Sequence, residues 1–229
     1  MLKSCGIMLQ KFLTLVILVS IVLLTMLAGW GLAALPAFFS NPARTGLVAV
    51  MIFAALCAFL LDIDLNPFRK GHSALGQQSW VLLALTLASL FLMWFLPYAD
   101  RRQICTFGDS FILRWLGLSL CAAGIAVRLL ALAKLGKQFS AYVTLQDGHE
   151  LVQSGIYGVI RHPLYLSLLL MGPGFALVFR SELTVPILLA AVAFVSVRIR
   201  QEEKLLESQF AASFARYRAR TWMLVPMIL

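Results

Sequence analysis

Charge is what this sequence has least of. Only 13% of its 229 residues are Asp, Glu, Lys or Arg, about half the share of an ordinary soluble domain. Histidine occurs three times. Cysteine occurs four times (Cys5, Cys57, Cys105 and Cys121), widely scattered and without paired spacing. Neither a metal site nor a disulfide framework can be read from such a set, and no metal is expected. Internal repeats and low-complexity segments are also missing, which counts against a transporter built from paired halves. The charge that remains is lopsided, with 19 Lys and Arg against 10 Asp and Glu. In a soluble chain that excess would point to nucleic acid. Beside 61% hydrophobic residues it reads instead as the bias of cytoplasmic loops in a membrane protein, and no nucleic-acid partner is expected.

What fills the chain is long apolar runs. They lie at Phe12 to Phe39, Thr45 to Leu61, Ser79 to Pro97, Phe111 to Leu135, Leu164 to Phe179 and Leu183 to Val197. The first follows Lys3 and Lys11 as a signal peptide would, but it far exceeds an h-region of about 7–15 residues, so an uncleaved span is expected. The last two runs are separated only by Arg180-Ser181-Glu182 and must form a tight antiparallel hairpin. Each is short, so it either stops part-way across a hydrocarbon core of about 30 Å or continues as helix beyond it. Met171-Gly172-Pro173-Gly174 is expected to kink the first arm. The expected fold is thus all-α: a multi-pass integral membrane helical bundle of about six spans, including a C-terminal helical hairpin. A cytoplasmic amphipathic C-terminal helix completes it.

Six spans put both termini on one side. That side carries Lys3, Lys11, Arg69, Lys70, Lys134, Lys137, Arg161, Arg198, Arg200, Lys204, Arg216, Arg218 and Arg220, whereas the other carries Arg44, Arg101, Arg102 and Arg180. The imbalance places the termini and the loop after the fourth run in the cytoplasm. Arg128 lies inside the fourth run. It either faces a polar cavity or partner or snorkels to the nearby interface.

Two polar segments stand apart. The first, His149 to Tyr165, sits between apolar runs and combines backbone-bending Gly155, Gly158 and Pro163 with Tyr157, Arg161, His162 and Tyr165. Pro163 suits the first turn of the helix that follows. The second is the tail, where Ile199, Leu206, Phe210, Phe214 and Tyr217 recur at helical spacing and define one apolar face. A helix lying on anionic lipid would explain the arginines of both segments. It explains Glu202 and Glu203, two adjacent carboxylates, less well.

Together these segments resemble the isoprenylcysteine carboxyl methyltransferase family and its relatives, the membrane phospholipid methyltransferases. The first carries His149, Leu151, Val152, Gly155, Tyr157, Arg161, His162, Pro163 and Tyr165 of the pattern. The second carries Arg198, Ile199, Glu202 and Glu203, then Phe210, Tyr217, Arg220 and Pro226. The match runs from about Gly124 to the C-terminus, so residues 1–110 are expected to form N-terminal spans and 111–229 the methyltransferase core. Ser167, Ala211, Ala212, Ser213, Phe214 and Trp222 depart from the family pattern, Ala211 replacing a usual glycine. These departures bear on the acceptor more than on the cofactor.

The resemblance implies methyl transfer from S-adenosylmethionine, a cofactor held by His149, Leu151, Val152, Gly155, Tyr157, His162, Pro163, Tyr165, Glu202 and Glu203. The acceptor is expected to be lipophilic, arriving from the bilayer among membrane lipids. A carboxylate acceptor is already ionised at neutral pH and needs orientation rather than a base. Arg161 and Arg220 match the positions that could orient it through bidentate hydrogen bonds. An amine acceptor, as in phospholipid or small-lipid N-methylation, would need a base, and His162 is the nearest candidate. A non-catalytic membrane scaffold or transporter is the remaining alternative.

Overall fold

The computed structural model describes residues 2–61, 76–136 and 151–226, with side chains over 13–61, 83–136 and 151–226. Seven α-helices occur among them: α1 Leu2–Trp30, α2 Leu35–Phe39, α3 Pro42–Leu60, α4 Gly76–Arg102, α5 Phe111–Leu135, α6 Pro163–Val178 and α7 Thr184–Ala219. The first apolar run is broken: Gly31 adopts φ 103°, open only to a residue without a Cβ, and α1 ends there. Asn41 then starts α3 by accepting from the backbone N–H groups of Ala43 and Arg44, with Pro42 supplying the first helical residue. The third span outruns its expected end, because α4 continues through Pro97 to Arg102.

Five helices, α1, α3, α4, α5 and α7, are long and apolar enough to cross a membrane, and α6 is a shorter apolar helix. At 16 residues α6 is roughly 24 Å long, short of a full hydrocarbon core. It runs uninterrupted over Pro163–Val178 with Pro173 inside it. The other hairpin arm continues: α7 runs from Thr184 to a kink at Ala211, so the expected sixth span and the first part of the expected tail helix are one rod. Its regular course breaks only near its end, where Ala211 has φ 31° and ψ −106°.

Small residues set the packing. At Gly117 of α5 an added Cβ would stand 2.6 Å from the Gly174 carbonyl oxygen of α6, and at Gly124 it would stand 2.7 Å from Met171 and 3.0 Å from the Ser167 carbonyl. Lipid offers helices no hydrophobic reason to associate, so close backbone approach through small residues takes over. Gly29 of α1 does the same against the Trp94 backbone of α4. Met26, Trp30, Phe38, Leu47, Leu96, Leu118 and Phe179 fill the core between these seams. Large apolar side chains point outward, Phe53 being 65% and Ile112 75% exposed, as expected where the solvent is hydrocarbon.

Helix direction gathers charge at one end. The start of α3, the end of α4, the start of α5 and the α6–α7 turn meet around Asp100, whose side chain is fully buried. Asp100 accepts from Arg44 at 3.0 Å, from both terminal nitrogens of Arg114 at 3.2 Å, and from Arg180 Nε at 2.6 Å. Arg44 also lies 4.2 Å above the Trp30 ring and donates to the Ala37 and Phe38 carbonyls. Exposed Asp109 accepts from Arg114 Nε at 2.8 Å. That hydrogen bond holds the Asp109 carboxyl below its ordinary value of 3.8. Arg44, buried, and Arg180, partly buried, both read from sequence as loop charges, are therefore structural cations.

Candidate active site

At the opposite end of the bundle the chain returns to itself three times. The loop after α5 enters a 3-10 turn, Gly155–Gly158, whose Gly155 has φ 62° and lies against the Lys134 side chain. A Cβ there would be strained and crowded at once. α6 starts at Pro163, with His162 immediately before it. α7 passes alongside, and beyond the break at Ala211 the tail turns back. Trp222 N–H donates to the Val159 carbonyl at 2.9 Å, while the Arg161 and His162 N–H groups donate to the Trp222 and Met223 carbonyls at 2.8 and 3.1 Å. Loop and tail are thereby laid parallel at Ile160 and Trp222.

Side chains complete the junction. His162 Nε2 lies 3.1 Å from Glu203 Oε1, and Arg161 Nε donates to the same oxygen at 3.3 Å. Arg161 Nη1 donates to the carbonyl of Arg218 at 3.1 Å and to that of Thr221. Tyr217 donates its hydroxyl to the Tyr157 carbonyl at 2.8 Å. His162 is 4% and Glu203 9% exposed, so this charged knot sits in low dielectric, where paired groups attract strongly and a lost partner costs dearly. The Tyr165 hydroxyl lies in hydrogen-bonding reach of both Glu202 and Arg198. Tyr157 is buried, and burial, with the Glu202 charge adding to it, pushes its phenol well above the ordinary range. It is therefore a neutral hydrogen-bonding group at physiological pH.

The structure brings Arg161, His162, Pro163, Tyr165, Glu202 and Glu203 together, with Tyr157 and Gly155 in the adjoining turn. Leu151 and Val152 are half-buried at the loop's start. Arg220 is exposed and donates to Gln153 on the loop surface, so it meets the loop but not the Glu203 knot. His149 lies outside the described residues. Thr221 and Gln153 were missed from the sequence: one contributes through its carbonyl, which no side chain encodes, and the other as a common polar residue with no motif. Among the described residues no cluster of His, Cys, Asp or Glu is arranged to hold a metal ion.

Five helices long and apolar enough to cross a membrane, with Arg161, His162 and Glu203 gathered at one end, define a multi-pass membrane protein. Residues 115–208 match the family model for the isoprenylcysteine carboxyl methyltransferase (ICMT) family. The chain is similar to that family through this stretch, and it reads as a membrane methyltransferase. It is 26% identical over 196 residues to the protein-S-isoprenylcysteine O-methyltransferase of Saccharomyces cerevisiae, covering 80% of this chain and 78% of the yeast protein. With the same-named protein of Dictyostelium discoideum it shares 30% identity over 122 residues, 52% of each chain. The solved structure of the eukaryotic intramembrane Ras methyltransferase ICMT superposes with a TM-score of 0.54, covering 92% of this chain and 74% of that one at 22% identity. At that identity the likeness speaks to the fold.

Proposed function

We propose that the chain transfers a methyl group from S-adenosylmethionine to the carboxylate of a lipidated or isoprenoid-like acceptor. The observation that carries this reading is the junction at Glu203, where the loop and α7 meet 41 and 42 residues apart through His162 and Arg161. The donor set fits the cofactor. Both contacts on Glu203 run through Oε1, and Glu202 stands half-buried beside it. These two carboxylates supply the acceptor oxygens that an ammonium and ribose hydroxyls require. His162 and Tyr165 add groups able to bond the methionine or ribose portion, while Leu151, Val152 and Pro163 supply apolar surface. His149 belongs to the proposed set by the sequence pattern.

When bound, S-adenosylmethionine supplies a methyl group activated by its sulfonium centre. What the protein contributes is alignment: a methyl and an ionised carboxylate held in line need little else. Arg161 braces Glu203 and the tail turn, and among the described residues its contacts use Nε and Nη1, leaving Nη2. Arg220 stands at the exposed rim. Both place positive potential where an anionic acceptor would arrive. The carboxylate acceptor is supported by the shared name of the relatives and by these cations. The active site and both termini are proposed to face the cytoplasm, on the Lys and Arg asymmetry, and the acceptor to enter from the bilayer.

Binding of labelled S-adenosylmethionine to the purified protein tests the reading, with Glu203→Ala and His162→Ala combined as the variant. Binding should fall at least tenfold in the variant, and unchanged binding refutes these residues as the site. Label recovered in base-labile esters supports the carboxylate, whereas base-stable label assigns an amine acceptor instead.

A further inference from the structure

The end of the bundle remote from the active site holds a cavity of about 230 Å³ that methyl transfer leaves unused. Asn41 and the start of α3 form one wall, and Asp109, Phe111, Arg114 and Trp115 form the other. Charge around it is unevenly presented. Arg114 is buried, and all three of its guanidinium nitrogens are engaged, by Asp109, Asp100 and the Val178 carbonyl. Asp109 is 67% exposed, and among the described residues both of its ion pairs use Oδ1, leaving Oδ2. The charged atom offered to a visitor is therefore a carboxylate oxygen. The cluster beneath it is nonetheless net positive, with three guanidinium groups against two carboxylates. Beside Asp109 the rings of Phe111 and Trp115 stand 5.6 Å apart between centroids, with their planes inclined by 49°. Phe111 and its neighbour Ile112 are 70% and 75% exposed, on a helix long and apolar enough to cross the membrane. Asn41 caps α3 through its side-chain carbonyl oxygen, so its NH2 group remains as a donor.

We propose that this cavity binds the headgroup of a zwitterionic, ammonium-bearing phospholipid in the leaflet opposite the active site. The inference goes beyond the methyltransferase reading and does not depend on it. An ammonium is the group that a carboxylate oxygen and two aromatic rings recognise together, the one by a charge-assisted hydrogen bond and the others through their π faces. The net positive charge below disfavours a simple cation, so the ligand must bring an anion as well. A phosphate oxygen supplies it, and accepts from the Asn41 amide. The cavity is smaller than the roughly 300–1,000 Å³ that encloses a drug-sized ligand, as suits a headgroup whose chains stay outside along Phe111 and Ile112. Aromatic residues gather at membrane interfaces without any ligand, but such a belt calls for neither a cavity nor a carboxylate at its edge.

Native mass spectrometry of the purified protein in detergent tests the site, with phosphatidylethanolamine and phosphatidylglycerol of identical chains in competition. The second lipid keeps the phosphate and the chains and lacks the ammonium. Wild type should retain the ethanolamine lipid about tenfold better, the scale of one charge-assisted hydrogen bond, and equal retention overturns the proposal. The preference should disappear in Asp109→Asn and fall about threefold or more in Trp115→Leu. A preference unchanged in either variant overturns the joint site, even where the melting temperature has dropped. Asp109 also holds Arg114, so should Asp109→Asn fail to fold, wild type and Trp115→Leu decide by the same readout. Phosphorylethanolamine, the headgroup without chains, should compete at least about tenfold more weakly than the lipid because it buries no methylenes. Equal competition by it overturns a lipid as the ligand.

Discussion

Replacing Asp100 by Asn should unravel the end of the bundle remote from the active site. Asp100 is a fully buried carboxylate contacted by Arg44, Arg114 and Arg180 at 2.6 to 3.2 Å. The amide keeps one acceptor but brings an N–H group against guanidinium donors and removes the negative charge. Asp109 cannot substitute, since its side chain is 67% exposed and its solvent-screened charge touches mainly Arg114. Breaking a buried pair on one side costs about 3–5 kcal/mol, because the partner charge is left uncompensated. Here three cations are left, so the upper part of that range applies. For a chain of this size the cost corresponds to a fall in melting temperature of about 6 °C or more. Thermal unfolding of the detergent-solubilised protein measures it, with Glu207→Gln as control. That residue pairs with Arg218 at 3.0 Å, but both side chains are 52% exposed, so its loss should cost no more than about 1 kcal/mol. Adding Arg180→Gln to Asp100→Asn should recover part of the loss by removing one stranded cation. An Asp100→Asn protein melting within about 2 °C of wild type would refute the reasoning.

Three further substitutions have definite expected outcomes. Gly117→Ala places a Cβ 2.6 Å from the Gly174 carbonyl oxygen, and separating α5 from α6 to admit it should cost about 1–3 kcal/mol, read as a lower melting temperature. Ala211→Gly relieves a residue held at φ 31° and ψ −106° and should raise stability by about 1 kcal/mol, visible in the same assay. Tyr217→Phe removes the 2.8 Å hydrogen bond to the Tyr157 carbonyl. It should cost about 1–2 kcal/mol and increase amide exchange in residues 155–160, detectable by mass spectrometry.

Much of the bundle was legible in the sequence, because lipid imposes long uninterrupted apolar runs and little else satisfies a backbone in hydrocarbon. The limits of the runs were less so. Gly31 breaks the first run through its own backbone freedom, while Pro97 fails to stop α4. The Arg161, His162 and Glu203 convergence follows from two motifs at the two ends of a hairpin, and the hairpin's short turn brought those ends together. The Asp100 cluster had no such pattern. Its members lie 14, 56 and 80 residues from the aspartate, and each looks like an ordinary charge flanking a span. Gly117, Gly124 and Gly174 were visible as glycines, but only the pairing of α5 with α6 shows what they permit. Ala211 stands where the family pattern has glycine, and the structure supplies the reason for glycine there: that position has a positive φ.

The single rod of α7 ties the two ends of the molecule to one ruler. Thr184 begins it beside the buried Asp100 cluster, and Glu203 sits 19 residues on, roughly 29 Å along its axis, close to the thickness of a hydrocarbon core. The height of the carboxylates above the membrane midplane is therefore gauged from the far leaflet. A thinner or thicker bilayer tilts the ruler, raising or lowering the reaction zone relative to the headgroups through which a lipid acceptor must reach it. On the proposed assignment of Glu202 and Glu203 to the site, bilayer thickness is expected to alter turnover.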